Sequence, residues 1–272
     1  MNPNADIAAA LGQQLWSTDS FLPEYRPGEH GPWRINPGGR LVTDWGYVSG
    51  PRLLEMLPSL SRRSISGVDQ EKWEVWMSLT PHEVESQELG YRYAFGNVVI
   101  MGLGMGWIAA NAALNPEVTA VTVVEQDPDV ISLFQDSGAF DSLAASARSK
   151  ISIARADALE WTPALNQAVD FLYADIWLHL AEEQTLRQVK RMQDNVVAEQ
   201  VYFWGQEIAL NSAMAHILDG NETMSENTIR QAANNVLGLP LLIPGDRDYA
   251  GMIKSVIDNR VKRGLPINFQ ID

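Results

Sequence analysis

The sequence predicts an α/β protein: a doubly wound, Rossmann-like parallel sheet with a small mixed N-terminal region and a helical C-terminal region. Three observations predict it. Between about residues 96 and 218, short apolar runs alternate with helix-patterned segments, as in strands covered on both faces by crossover helices. The first run leads into a glycine turn, Met101-Gly102-Leu103-Gly104-Met105-Gly106-Trp107. Three later runs end at or near an acid: Glu125, Asp157 and Asp175.

The elements follow in order. Pro and Gly crowd residues 23 to 51, which predicts short strands and turns rather than long helices. Arg40–Tyr47 and Trp73–Ser78 read as strands. Pro81–Arg92 reads as a helix, with Pro81 in its first turn, Thr80 as N-cap and acids early. In the middle, Asn97–Met101, Thr119–Val124, Ile151–Ala154, Val169–Ala174 and Ala198–Trp204 read as strands. Between and after them, Trp107–Ala113 reads as a helix. Asp127 is read as the cap of another, with Pro128 at its first position, running through Phe134. A third follows Asp175 through about Met192, and a fourth spans Glu207–Leu218. Ser225–Leu237 and Tyr249–Val261 read as helices flanking a short apolar segment, residues 239 to 244. The division expected is 1–95 as a Trp-, Pro- and Gly-rich cap or substrate region, 96–218 as the core and 219–272 as an extension.

Composition narrows the function classes. With 272 residues the chain is long enough to bury a substantial core. It has no cysteine, which removes disulfides and thiolate metal sites and fits a cytoplasmic location. Met1–Gln14 has no basic, then continuously apolar, pattern of a signal peptide, and no run approaches the roughly 18 apolar residues of a membrane span. A net charge of -14 repels nucleic acid and anionic lipid, and the basic pairs Arg62-Arg63 and Lys262-Arg263 are too small to reverse that. The four histidines are scattered, so no metal site is expected, and no serine-nucleophile elbow or Walker loop occurs.

In a doubly wound sheet, ligands bind beyond the carboxyl ends of the strands. Glycines at such a turn let the backbone bend sharply and approach a ligand, and the next helix N-terminus favours an anion. The dinucleotide fingerprint needs G-x-G-x-x-G; here the third glycine comes one residue early and Trp107 stands in its place. Glu125 has the acceptors for two ribose hydroxyls, a feature shared with NAD-binding folds. Gln126 and Asp127 follow along the same edge. Trp177, two residues after Asp175, offers a π face to a cation.

G-x-G-x-G after an apolar strand, with Glu125, Ala156-Asp157-Ala158 and Asp175 behind it, resembles the class I S-adenosylmethionine-dependent methyltransferase superfamily over roughly residues 95 to 205. Residues 97 to 130, with Val123-Val124-Glu125-Gln126-Asp127-Pro128, look most like its spermidine synthase-like branch, and residues 76 to 88 resemble the strand and helix that lead into that core. The resemblance implies S-adenosylmethionine, or its decarboxylated form, as cofactor. It implies Gly102, Gly104 and Gly106 beside the methionine portion, Glu125 and Gln126 at the ribose and adenine edge, Asp157 and Ala158 at the adenine, and Asp175 at the reacting end as the catalytic residue. The chain departs from polyamine synthases: Leu103 and Met105 occupy the loop where those enzymes carry an aspartate, and Leu178 stands where a second aspartate would follow Asp175.

The function expected is a transferase, a methyltransferase on a small molecule such as an amine, in a soluble protein that is a candidate homodimer. Two other readings stay open. One is an aminopropyltransferase, cyclase or lyase releasing methylthioadenosine; the other is a non-catalytic S-adenosylmethionine-binding protein. On the acceptor side, Glu83, Glu85, Gln87 and Glu88, then Tyr202, Trp204, Gln206 and Glu207, are candidates to line the pocket, and His179 is a candidate base.

Overall fold

The computed structural model describes residues 8–10, 12, 15–39, 41–55, 57–66, 70–218 and 224–271. Arg40, the boundary at 219 and most of the stretch 1–14 lie outside them. The core is a five-stranded parallel sheet of β7 (Gly96–Met101), β8 (Val118–Glu125), β9 (Ile151–Arg155), β10 (Phe171–Ala174) and β11 (Gln200–Phe203), in the order β11-β10-β7-β8-β9. This is the doubly wound arrangement the sequence predicts. β7 starts the core and sits at its centre, β8 and β9 extend to one side, and β10 and β11 to the other. All four residues of β10 and the last four of β7 are buried, as strands covered on both faces must be.

Local chemistry places the helices. In α1 (Pro81–Arg92), Thr80 is the N-cap residue, but its side chain makes no capping bond. α2 (Trp107–Leu114) follows the glycine turn. Asp127 caps α3 (Pro128–Ser137) by accepting the Asp129 N–H, an interaction worth about 1 kcal/mol. A single turn, α4 (Ala145–Arg148), precedes β9. The helix expected directly after Asp175 begins only at Thr185: α5 is Thr185–Val196. The residues between form a loop in which Ala181 adopts φ 64° and Glu182 accepts the backbone N–H groups of Leu178 and His179. Asp175 therefore caps no helix. α6 (Gln206–Met214), α7 (Glu226–Gln231) with its π-helical continuation over Ala232–Leu237, and α8 (Tyr249–Lys262) complete the chain. Ser225 and Thr228 form a reciprocal capping box at the start of α7.

Among the described residues the C-terminal region supplies no strand hairpin. Instead residues 239 to 242 run along the free edge of β11: the Val201 N–H donates to the Pro240 carbonyl and the Leu242 N–H to that of Val201. That single parallel rung covers an edge that would otherwise present unpaired backbone groups.

Before the core, the described residues form six strands, of which the sequence reading had two. β1 (Gly28–His30), β2 (Trp33–Asn36), β5 (Ser59–Ser66) and β6 (Gln70–Ser78) form an antiparallel sheet, while β3 (Leu41–Trp45) and β4 (Pro51–Glu55) form a hairpin. β1 and β2 pack on α3. The segment before β1 is pinned to α2, because the Trp107 indole N–H and the Asn111 amide both donate to the Phe21 carbonyl. No helix among the described residues is long and apolar enough to cross a membrane.

Candidate functional site

A cleft of about 810 Å³ opens at the carboxyl ends of β7, β8, β9 and β10, within the usual size range of small-molecule sites. Its floor is the turn 102–106. All three glycines there have positive φ, 102° at Gly102, 51° at Gly104 and 74° at Gly106, and a Cβ at each would collide with the protein itself. At Gly102 it would stand 2.2 Å from the Asp175 carbonyl oxygen, at Gly104 near Met77 Sδ, and at Gly106 near the Phe134 ring. The glycines thus serve first to let β10, β6 and α3 close on the turn. Gly102 and Gly104 also face the cleft; Gly106 does not line it. Where a dinucleotide turn needs its third glycine, the Trp107 indole is fully buried.

Glu125, at the end of β8, is half-buried on the cleft wall. Its Oε2 accepts the Leu103 N–H at 3.1 Å and its Oε1 the Asp127 N–H at 2.8 Å. Those bonds lock the carboxylate between the glycine turn and the start of α3, and leave each oxygen a lone pair for a ligand hydroxyl. Burial raises its pKa, opposed by backbone hydrogen bonds from Asp127, Leu103 and Gln126. Gln126 is exposed at the rim. Asp127 is committed to its cap and to the Trp33 indole N–H at 2.8 Å. Asp157 follows β9, with Oδ1 accepting the Leu159 N–H at 2.8 Å, and Ala158 beside it is buried; both line the cleft.

Asp175 stands across the cleft at the end of β10, its N–H bonded to the Met101 carbonyl at 3.0 Å. α1 brings a second acid, Glu83, to the same place. The Gln87 amide nitrogen donates to Glu83 Oε1 at 2.6 Å and to Asp175 Oδ2 at 3.2 Å, so one amide ties the two carboxyls together. The Tyr173 hydroxyl lies 3.4 Å from the same Asp175 oxygen. Burial pushes Asp175 up to about 7. Glu83 is pushed well above the ordinary carboxylate range by burial first and then by the charge of Asp175. Near neutrality both carboxyls are therefore held towards their protonated forms, and the pair shares a proton.

The helix periodicity explains why Glu83 and Gln87 reach the cleft and their neighbours do not. Positions 83, 87, 90 and 91 share the buried face of α1. Gly90 lets that face press against Tyr173, whose ring would meet a Cβ at 2.5 Å. Glu88 faces outward and pairs with Arg92. Glu85 accepts the Val48 and Ser49 N–H groups and holds the turn between β3 and β4. Trp204 lines the cleft, its indole N–H on the Ser86 hydroxyl at 2.8 Å. Tyr202, Gln206 and Glu207 are buried behind it. Trp177 lines the cleft wall with its N–H on Gln188, and His179 is exposed and outside the cleft.

The opposite wall comes from the N-terminal sheet, which the sequence reading did not assign to the site: Trp33, Leu60, Arg62, Trp76 and Met77. Met77 Sδ accepts the Met105 N–H at 3.2 Å, joining that sheet to the glycine turn. Among the described residues no group of His, Cys, Asp and Glu is arranged to hold a metal ion.

No protein-family model matches the chain, and no curated protein matches it by sequence. Among solved structures it is similar to a complex of DhpI with S-adenosylhomocysteine, at 16% identity over 41% of this chain and 50% of that one, TM-score 0.30. It is similar to N-methyltransferase NodS from Bradyrhizobium japonicum, solved with S-adenosylhomocysteine, at 20% identity over 43% and 56%, TM-score 0.30. A third is the glycopeptide N-methyltransferase MtfA with sinefungin, at 15% identity over 41% and 44%, TM-score 0.30. The chain spans about half the length of these structures. The fold defines a doubly wound α/β protein with a cleft at the topological switch between β7 and β10.

Proposed function

We propose that the cleft binds S-adenosylmethionine and that the protein is a transferase of the class I methyltransferase type, moving the methyl group to a small-molecule acceptor. The observation that carries this is convergence: the turn 102–104, Glu125, Asp157 and Asp175 close successive strands and meet in one cleft beside a second buried acid. The residues suit the cofactor. Glu125 retains acceptors for two vicinal hydroxyls, Asp157 has an acceptor for an exocyclic amine, and Trp107 stands where a dinucleotide turn needs its third glycine. When bound, S-adenosylmethionine supplies a methyl group already activated on a sulfonium.

The chain's own residues then have three tasks. Glu125, Asp157, Ala158 and Gly102 fix the adenosyl end. Trp33, Trp76, Met77 and Trp204 narrow the cleft and exclude water. Asp175 orients the acceptor and takes the proton it loses as its lone pair bonds to the methyl carbon. An amine suits this site: a buried acid pair attracts a cation and removes its proton. The net charge of -14 argues against nucleic acid as acceptor. The spermidine synthase-like resemblance of residues 76 to 88 falls on the segment that carries Met77, Glu83 and Gln87 into the cleft, which supports that branch as the nearest form. On this reading residues 1–95 act as the acceptor-side cap, 96–218 as the cofactor-binding core and 219–272 as a buttress.

The test is product analysis. Incubation with S-adenosylmethionine and a panel of small amines is expected to release S-adenosylhomocysteine, and Glu125→Ala to weaken cofactor binding about 10- to 100-fold by removing charge-assisted hydrogen bonds. Release of methylthioadenosine instead would move the assignment to aminopropyl transfer, cyclisation or lysis.

A further inference from the structure

The cleft is acidic to a degree that raises a recognition problem. Seven acidic side chains line it, from Glu83, Glu125, Asp127, Asp129, Asp157, Asp175 and Glu182. The amino-acid arm of S-adenosylmethionine carries a carboxylate of its own, and the glycine turn contributes only Leu103 and Met105 as side chains near it. One cation faces the cleft among the described residues: Arg62, on β5.

Its placement is specific. Arg62 lies opposite Trp33 of β2 in the antiparallel register. Its guanidinium carbon stands 5.2 Å from the Trp33 ring centre and 5.9 Å from that of Trp76. Between Leu60 and Ser61 the β5–β6 register shifts, Leu60 facing Met77 and Ser61 facing Val75, so Trp76 is the extra residue of a bulge. A bulge re-aims side chains, and this one brings Trp76 to the cleft wall next to Met77, which touches Gly104. Two indoles thus hold the guanidinium by cation–π contact without consuming its N–H donors. No ion pair ties it to a carboxylate of the described residues, seven cleft acids notwithstanding.

We propose that Arg62 binds the α-carboxylate of the cofactor's amino-acid arm and so selects S-adenosylmethionine over its decarboxylated form. The inference rests on the reading of the cleft as an adenosyl-cofactor site. The guanidinium fork matches a carboxylate in two parallel hydrogen bonds, and the two indole faces fix its direction. A decarboxylated arm carries only a cation and would meet Arg62 with like-charge repulsion. The device therefore bears on reaction type as well as affinity, since it favours the methyl donor over an aminopropyl donor.

The experiment is calorimetry of the full chain and of Arg62→Met with S-adenosylhomocysteine, methylthioadenosine and decarboxylated S-adenosylmethionine. Arg62 is exposed, and Met retains an apolar stem against the indoles, so the variant is expected to melt with the wild type. The result expected is a loss of about 10- to 100-fold for S-adenosylhomocysteine, methylthioadenosine unchanged within about twofold, and no loss for the decarboxylated form. Equal losses for all three, or none for S-adenosylhomocysteine, would overturn the role of Arg62 while methylthioadenosine binding kept the cleft assignment. Failure of the wild type to bind methylthioadenosine and S-adenosylhomocysteine alike would remove the cofactor reading and this proposal with it.

Discussion

Asp175→Asn is expected to leave a folded, cofactor-binding protein that has lost at least about 100-fold in transfer rate, the lower end of what a positioned base contributes. It is also expected to be more stable than the wild type above neutral pH. The sign follows from the direction of the shift. Burial raises Asp175 to about 7 in the folded chain, against an ordinary aspartate value near 4 in the unfolded one. Below that lower value both states are protonated and nothing is lost. As pH rises towards 7, the unfolded state releases its proton while the folded state keeps it, so stability falls across that window and the penalty is complete above it. Asparagine carries no such penalty. Because Asp175 faces a cleft open to water, the gain at pH 8 is set at about 1–3 kcal/mol rather than the full value of the shift. Melting curves from pH 4.5 to 8.5 check it: the variant's Tm is to fall less with rising pH than the wild type's. A transfer rate within tenfold of wild type would remove Asp175 from catalysis.

Glu207→Ala is expected to destabilise the protein by about 3–5 kcal/mol and to loosen its C-terminal region first. Glu207 is fully buried at the start of α6, where it accepts the Tyr47 hydroxyl at 2.9 Å on one oxygen and the Tyr249 hydroxyl at 3.0 Å on the other. The Tyr202 hydroxyl lies 3.3 Å away and donates to the Ser86 carbonyl. One carboxyl thus joins the loop after β3, the core strand β11 and the start of α8. Burial raises its pKa, while the hydrogen bonds from the helix backbone and the tyrosines oppose that rise. Truncation strips two buried phenols of their acceptor and opens a cavity. Hydrogen exchange should show the amides of α8 losing protection before those of β7 and β10. Exchange rising uniformly through the chain, or a loss below about 1 kcal/mol, would contradict the account.

The core was legible because its signals are local. Val98-Val99-Ile100 running into Gly102, and Asp127-Pro128 opening α3, encode strand and helix limits in adjacent residues, and the observed elements fall within a few positions of the reading. The loop 175–184 was misread as the start of a helix because its conformation depends on Glu182 reaching back to Leu178 and His179, a bond no periodicity reveals. Sequence patterning does not reveal β1, β2, β4 and β5, because Gly28–His30, Trp33–Asn36 and Pro51–Glu55 are short and Ser59–Ser66 lacks a clean alternation. For the site, Gly102, Gly104, Glu125, Gln126, Asp157, Ala158 and Asp175 all line the cleft, and Gly106 serves packing against Phe134. Of the acceptor-side candidates on α1, Glu83 and Gln87 line the cleft, and their spacing to Gly90 and Tyr91 carries that signal. Arg62 lay outside reach, since only the docking of the N-terminal sheet on the core brings it to the cleft.

The central claim is that the cleft holds an adenosyl cofactor rather than a dinucleotide. Calorimetric titration of the wild-type chain with S-adenosylhomocysteine and with NAD tests it most directly. Saturable one-to-one binding of S-adenosylhomocysteine, with no heat from NAD, is the result predicted; binding of NAD alone, or of neither, would contradict it.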